Sequence, residues 1–171
     1  MATEIPLDDG TSFDEFYRKH RAGIVRALAL TLHSVDLGTD AADEGLARAC
    51  ERWATVATLD NPAGWVYRVG FNWGTSVLRR VRRPAPRWLT DPQGLPWADS
   101  PDPAIDQALA RLKSDQRAVV VCRLMLGWSE AQTAECLGLR PGTVKSRLSR
   151  AVEQLSASLA SFNPHNSEVP R

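Results

Sequence analysis

Between residues 140 and 150 the chain carries Arg140, Thr143, Lys145, Ser146, Arg147 and Arg150, with no carboxylate among them. Guanidinium, ammonium and hydroxyl groups donate hydrogen bonds, and grouped in this way they suit phosphate oxygens and the acceptor edges of bases. A second cationic group, Arg79, Arg80, Arg82 and Arg83 with Arg87 close behind, follows a stretch that holds Trp65, Arg68 and Asn72. Arginines bind phosphates through counterion release, without reading sequence. Aromatic rings beside them can stack on unpaired bases, at roughly 1–3 kcal/mol per base. Both groups point to binding a polyanion rather than to bond-making chemistry.

The elements that must hold the later group can be read from Gln116 to Leu155. Ser129 and Gln132 have the spacing of a capping box, in which each side chain satisfies an unpaired backbone N–H of the other residue. The short helix they start should end at Leu137-Gly138, where glycine tolerates the positive φ of a helix C-cap. A three-residue turn then leads to Pro141, acceptable in a first helical turn because its missing N–H is not needed there. From there Val144, Leu148, Val152 and Leu155 recur at helical spacing and predict the buried stripe. Thr143, Lys145, Ser146, Arg147 and Arg150 are left on the outer face. Two short helices around a tight turn, the second with a cationic face, form a helix-turn-helix.

The earlier group needs a longer scaffold. Ser12 to Glu15 has capping-box spacing, and Phe13, Phe16, Tyr17, Ile24, Leu28 and Leu32 predict a helix from about Phe13 to His33. Ser34 to Thr39 reads as a turn, with Asp40 capping a helix from Ala41 to about Trp53 that turns Leu46, Ala49, Cys50 and Trp53 inward. Asn61-Pro62 starts a third helix, which runs to Arg83 and is stopped by Pro84. That helix carries four aromatics, Trp65, Tyr67, Phe71 and Trp73. Trp65, Val69 and Trp73 share one face, so a place in a core competes with base stacking as their role.

Pro84, Pro86, Pro92, Pro96, Pro101 and Pro103 make the next segment an extended linker, with Trp88 and Trp97 either covered by something else or folded back onto the chain. After it, Pro103 opens a helix striped by Ile105, Leu109 and Leu112 and capped by Asp102, and a second helix covers about Asp115 to Leu126. The fold class expected is all-α. It comprises a tail (1–11), a helical domain (12–83), a linker (84–103), a helix-turn-helix domain (104–160) and a second tail (161–171).

Composition limits the function classes. The 171 residues are 43% hydrophobic, enough for packed cores, and the net charge of +1 conceals an acidic cluster, Asp40, Asp43, Glu44 and Glu51, in the first half. No Gly-rich phosphate loop and no Ser/His/Asp or Cys/His grouping is present, and His20, His33 and His165 are scattered. An enzyme is therefore not expected, nor a cofactor or metal. Cys50, Cys122 and Cys136 lack metal-ligand spacing. Cys122 and Cys136 fall on apolar faces, as buried thiols of a reducing compartment do. The first ten residues are acidic and show no targeting segment, and no apolar run could span a bilayer, so a cytoplasmic protein with no membrane insertion is expected.

Taken together, these motifs resemble the two-domain extracytoplasmic-function sigma factors of bacterial RNA polymerase, from about Phe13 to Leu155. In the second half the similarity lies in Asp115-Gln116-Arg117, Gly127-Trp128-Ser129, Ala134 to Gly138, and Gly142 to Ala151. In the first half it lies in Phe16 to His20, Ala41-Ala42-Asp43, Arg52-Trp53, Pro62 to Val69, Asn72 and Leu78-Arg79-Arg80. After Asp43 the chain departs from the family's usual run and carries Glu44, Leu46-Ala47 and Ala49.

The resemblance implies a subunit that directs RNA polymerase core to promoters. Asp43, Leu46, Cys50 and Trp53 would face the clamp helices of the largest subunit, with the flap as a second contact. Trp65, Arg68, Asn72, Arg79, Arg80, Arg82 and Arg83 would hold the melted −10 DNA. Thr143, Lys145, Ser146, Arg147 and Arg150, with Arg140, would meet the −35 duplex. Arg147 and Lys145 are the candidates for guanine, where one good bidentate contact gives roughly 1–3 kcal/mol of discrimination. Family members are often held by an anti-sigma factor, which stays open as a partner here. Two other readings stand beside this one: a helix-turn-helix regulator that works without polymerase, and a protein whose first domain docks on another protein.

Overall fold

Serine hydroxyls start the first two helices. Ser12 accepts from the Glu15 N–H ahead of α1 (Phe13–Leu32), and Ser34 accepts from the Leu37 N–H ahead of α2 (Val35–Glu51). The computed structural model describes residues 12–81 and 103–161. The two tails, Arg82, Arg83, the proline-rich segment from Pro84 to Asp102 and His165 lie outside the described residues.

α2 begins well before the expected cap at Asp40. Ser34 already provides a capping hydroxyl, and His33 makes the sharp turn between α1 and α2 in the left-handed region at φ 55°. Gly38 then lets α2 pass against α1, since a Cβ there would lie 2.3 Å from the Ala29 Cα. α2 stops at Glu51, and Trp53 belongs to a single turn, α3 (Trp53–Val56). Cys50, expected to point inward, is exposed, whereas Leu46 is fully in the core.

α4 (Pro62–Val81) is capped as expected, with Asn61 Oδ1 accepting from the Gly64 N–H at 2.9 Å. Its buried face is Val66, Tyr67, Gly70 and Gly74, not the Trp65–Val69–Trp73 face, whose members are only half-buried. The small residues explain the choice of face. A Cβ on Gly70 would lie 2.5 Å from the Ala41 carbonyl oxygen, so α2 and α4 approach backbone to backbone. Leu28, Val66 and Tyr67 fill the space between α1, α2 and α4, and each such side chain stabilises the fold by about 1.5–3 kcal/mol. Tyr17 belongs to the predicted stripe of α1 but lies at its exposed edge.

The second half comprises α5 (Pro103–Ala110), α6 (Ser114–Val120) running on through a π-helical turn (Val121–Met125), α7 (Glu130–Leu137) and α8 (Pro141–Ser161). Leu109, Leu112, Val120 and Ala151 form one small core, and Val119, Ala134 and Val144 another. Two predicted core positions turn outward: Ile105 is 47% and Val152 39% exposed, with Ala151 taking the inward place on α8. The described residues contain no strand.

The two halves are packed together rather than separated. Val121, Cys122 and Cys136 of the second half join the main core of the first, and Trp128 meets the Tyr67 ring edge-on at 5.6 Å. Arg117, 8% exposed, donates from Nε to the Thr31 carbonyl at 2.8 Å and from Nη1 to the Leu109 carbonyl at 3.2 Å. Burial lowers the guanidinium pKa, and the Asp106 carboxylate opposes that effect. Beside it, Tyr67 donates to the Thr31 hydroxyl, which itself donates to the Ala27 carbonyl; burial raises the Tyr67 pKa well above its ordinary value.

Candidate nucleic-acid interface

The helix-turn-helix is built as its sequence requires. Ser129 N–H donates to Gln132 Oε1 at 2.8 Å and Gln132 N–H donates to Ser129 Oγ at 3.1 Å, so the capping box is complete. Gly138 ends α7 at φ 65°, and the Leu139 N–H returns to the Ala134 carbonyl. Arg140 precedes α8, its carbonyl accepting from the Thr143 and Val144 N–H groups, and its side chain is exposed.

On α8, Val144, Leu148, Ala151 and Leu155 face the core. At about 100° per residue, Thr143, Ser146, Arg147 and Arg150 share one outward face, while Lys145 lies about 160° round from Arg147. Lys145 is exposed but stands on the other flank of the helix, so it does not join Arg147 on one reading edge. Ser146 Oγ donates to the Thr143 carbonyl at 3.2 Å. Arg147 is half-buried and paired with Asp115 at 3.3 Å, a partner that the spacing within α8 could not reveal. An ion pair this open to water contributes about 0–1 kcal/mol and can be exchanged for a phosphate or a base.

The earlier group is divided. Trp65, Arg68, Asn72 and Arg79 recur along one outer stripe of α4, with Arg80 beside it. Asn72, Arg79 and Arg80 are exposed. The Arg68 Nη1 instead donates to the Glu135 carbonyl of α7 at 3.3 Å. Trp65 is half-buried and lines a cleft of about 100 Å³ between the halves, with Asn61, Gly64, Gln132 and Cys136. Arg82 and Arg83 are outside the described residues.

The residues assigned to a protein partner do not form one patch. Asp43 and Cys50 line an open groove of about 300 Å³ between α1 and α2, with Phe13, Tyr17 and Arg21 opposite them. Arg21 pairs with Asp43 at 3.1 Å and sits over the Tyr17 ring at 5.7 Å. Leu46 reaches this groove only by its edge, since it is 2% exposed. Trp53 lies on the far side of Phe13, with ring centroids 5.4 Å apart, and packs against Phe16 at a tilt of 45°. It helps to line a second hollow of about 350 Å³ with Lys19, His20 and Pro62. Burial and the charge of Lys19 lower the His20 pKa, and its ring packs at a tilt against Phe16, with centroids 4.8 Å apart. Sequence reasoning missed Tyr17, Arg21 and His20 as neighbours of these hollows, although the i, i+3, i+4 spacing of residues 13, 16, 17 and 20 was available.

Among the described residues no group of three His, Cys, Asp or Glu side chains could hold a metal ion, and no helix is long and apolar enough to cross a membrane.

Comparison with known proteins agrees with this architecture. Residues 103–155, which cover α5 to most of α8, match the family described as Sigma-70, region 4. The chain is 32% identical over 160 residues to the ECF RNA polymerase sigma factor SigM of Mycobacterium tuberculosis, spanning 91% of this chain and 81% of that protein. It is 35% identical over 153 residues to SigL of the same species, spanning 84% and 86%. It is 31% identical to the RNA polymerase sigma-E factor of Streptomyces coelicolor, spanning 86% and 85%. Among solved structures, the sigma factor RpoE of Bartonella quintana, in complex with the anti-sigma factor NepR, has the same fold, with a TM-score of 0.69 at 23% identity over 86% of this chain and 98% of that one. With relatives of this identity spanning more than four-fifths of both chains, the protein belongs to the ECF family of RNA polymerase sigma factors.

Proposed function

We propose that this protein is a non-enzymatic subunit that gives RNA polymerase core its promoter specificity. In this reading the helix-turn-helix reads the −35 duplex with Arg147 and Arg150, helped by Thr143 and Ser146, while Arg140 and Lys145 contact phosphates on either flank. The outer stripe of α4, Trp65, Arg68, Asn72, Arg79 and Arg80, takes the separated −10 strand, with Arg82 and Arg83 continuing the cationic end. The α1–α2 groove at Tyr17, Arg21, Asp43 and Cys50 faces the clamp helices of the polymerase. A subunit of this kind acts in the cytoplasm.

The observation that carries the reading is the arrangement of α8. A complete capping box and a left-handed Gly138 fix α7 against it, so that Val144, Leu148 and Ala151 turn to the core while Thr143, Ser146, Arg147 and Arg150 face out. Family membership weighs against a regulator that works without polymerase. An anti-sigma factor, such as the one bound to the Bartonella RpoE, would be a further partner.

The test is capture of core RNA polymerase by the purified protein, followed by run-off transcription of genomic DNA. Binding with new, discrete transcripts is expected, and their start sites would give the promoter motif. Binding of DNA without any association with core would reject the proposal.

A further inference from the structure

We propose that Cys122 and Cys136 form a thiol pair that a hydroperoxide oxidises to a disulfide, with Cys136 as the attacking thiol and Cys122 as the resolving one. Neither sulfur has a part in the proposed reading of DNA, so the site stands apart from it.

The two residues lie on different elements, Cys122 in the π-helical turn and Cys136 near the end of α7. The fold brings both into the main core as free thiols. The Cys122 sulfur is within hydrogen-bonding reach of the Cys136 sulfur on one side and of the Tyr67 hydroxyl on the other. Their surroundings differ. Cys122 is 0% exposed, and burial, with the Cys136 thiol beside it, pushes its pKa far above the ordinary thiol value. A thiol held neutral is a poor first nucleophile, because the thiolate is the form that attacks. Cys136 is buried too, but its edge lines the cleft of about 100 Å³ beside Asn61, Gly64 and Gln132. That space admits a molecule of the size of water or hydrogen peroxide, and Cys136 is the sulfur it meets.

Oxidation takes two steps. The Cys136 sulfur attacks one peroxide oxygen, the O–O bond breaks, and the thiol proton leaves with the departing hydroxide as water. Cys136 is then a sulfenic acid, which condenses with a neighbouring thiol. The Cys122 sulfur displaces the hydroxyl: the S–S bond forms, the S–O bond breaks, and the Cys122 proton leaves with the hydroxyl as a second water. The two sulfurs together give two electrons to the peroxide. Because the resolving proton departs in a neutral water, no charge is left in the apolar core. The disulfide closes residues 122–136 into a loop that contains Gly127, Trp128 and the Ser129–Gln132 box, and a thiol reductant reopens it. Disulfides of a reducing compartment are of this transient kind.

The experiment treats the full folded chain with hydrogen peroxide, quenches it in denaturant with iodoacetamide, and maps the peptides by mass. Trypsin cuts after Arg123, between the two cysteines, so the cross-link joins peptides that are otherwise separate. Joined peptides carrying Cys122 and Cys136 are expected, and dithiothreitol should separate them. The oxidised chain should also melt about 5 °C or more above the reduced one, because the cross-link restricts the unfolded chain. Cys122→Ala and Cys136→Ala assign the roles, with circular dichroism as the check on folding. In Cys122→Ala, dimedone should trap Cys136 as its sulfenic acid. In Cys136→Ala, Cys122 should stay unmodified at the same peroxide dose. If either variant does not fold, the peptide map of the unaltered chain decides alone. No joined peptides at a dose that oxidises the exposed Cys50, or joining through Cys50 instead, would overturn the pair. Dimedone on Cys122 in Cys136→Ala would overturn the order of attack.

Discussion

The Nε of Arg117 lies 2.8 Å from the carbonyl oxygen of Thr31, a residue 86 positions earlier in the chain. The same guanidinium bonds the Leu109 carbonyl, so one side chain ties α6 both to its own half and to the end of α1. Truncation would leave two carbonyls without this donor and a gap between the halves. Arg117→Ala should therefore destabilise the protein by about 1–3 kcal/mol for each carbonyl left unsatisfied. Urea unfolding followed by circular dichroism measures this, and an unchanged midpoint would show that water replaces the guanidinium at no cost.

The Ser129–Gln132 box should be worth about 0.5–2 kcal/mol to the second half. Ser129→Ala removes the acceptor for the Gln132 N–H, and Gln132→Ala removes the acceptor for the Ser129 N–H. Each should lower the thermal midpoint, and the double variant should lose less than the sum, because the two bonds hold one turn in place. Additive losses would mean that the two halves of the box act independently.

The closeness of α1 and α2 makes Gly38 a sharp probe of the fold. Gly38→Ala places a methyl group 2.3 Å from the Ala29 Cα, and backbone cannot swing aside as a side chain can. The expected cost is about 1–3 kcal/mol or more, as for other overpacked cores. Gly142→Ala is the control, since nothing lies within 4 Å of the added Cβ and φ there is ordinary. It should be neutral or slightly stabilising, and calorimetry on both variants decides the comparison.

His33 links stability to pH. Its pKa is lowered by burial and by the neighbouring Arg117 charge, against a smaller opposing effect of Asp106. The unfolded side chain titrates near 6.5, so as pH falls through that value the unfolded state gains protons first. Stability should be fully present above about pH 6.5 and decline as pH drops towards the folded value, below which this contribution is gone. His33→Asn keeps a residue that tolerates the left-handed turn and removes the titration. Its melting temperature should fall less between pH 7.5 and 5.5 than that of the unaltered chain, and parallel curves would clear His33 of the effect.

Much of this was legible in the sequence because it is local. The Ser12 cap, the Ser129–Gln132 box, Asn61-Pro62, Gly138 and Pro141 act within a turn or two of their own positions, and the helix ends they flank fall where those residues put them, although at Ser12 only the serine half of the expected box forms. The misplaced features depend on distant partners. Trp65 and Trp73 carry far more apolar surface than glycine, yet Gly70 and Gly74 lie on the buried face, because Gly70 meets the α2 backbone at Ala41 and Gly74 meets the Leu32 side chain of α1. Cys50 follows Leu46 at helical spacing and adjoins Ala49, yet the side of α2 that its neighbours cover is Ala42, Gly45, Leu46 and Ala49. The Arg117–Thr31 and Arg68–Glu135 contacts join residues with no periodic relation, and the spacing of apolar residues carries no signal for them.

The pairing of Arg147 with Asp115 gives a final prediction, which separates charge from sequence reading. Both side chains are partly solvated, and the pair contributes about 0–1 kcal/mol. Asp115→Asn removes the competitor without touching the reading face, so affinity for a −35 duplex should rise by up to about fivefold, with sequence preference unchanged. Arg147→Ala should act in the opposite sense. The margin between cognate and scrambled duplex should shrink by about 1–3 kcal/mol, while binding to scrambled DNA changes little. Lys145→Ala, on the other flank of α8, should weaken both duplexes alike and flatten the dependence on salt. Anisotropy titrations at two salt concentrations distinguish the three variants. A Lys145→Ala protein that loses preference while Arg147→Ala keeps it would reverse the assignment of the two flanks.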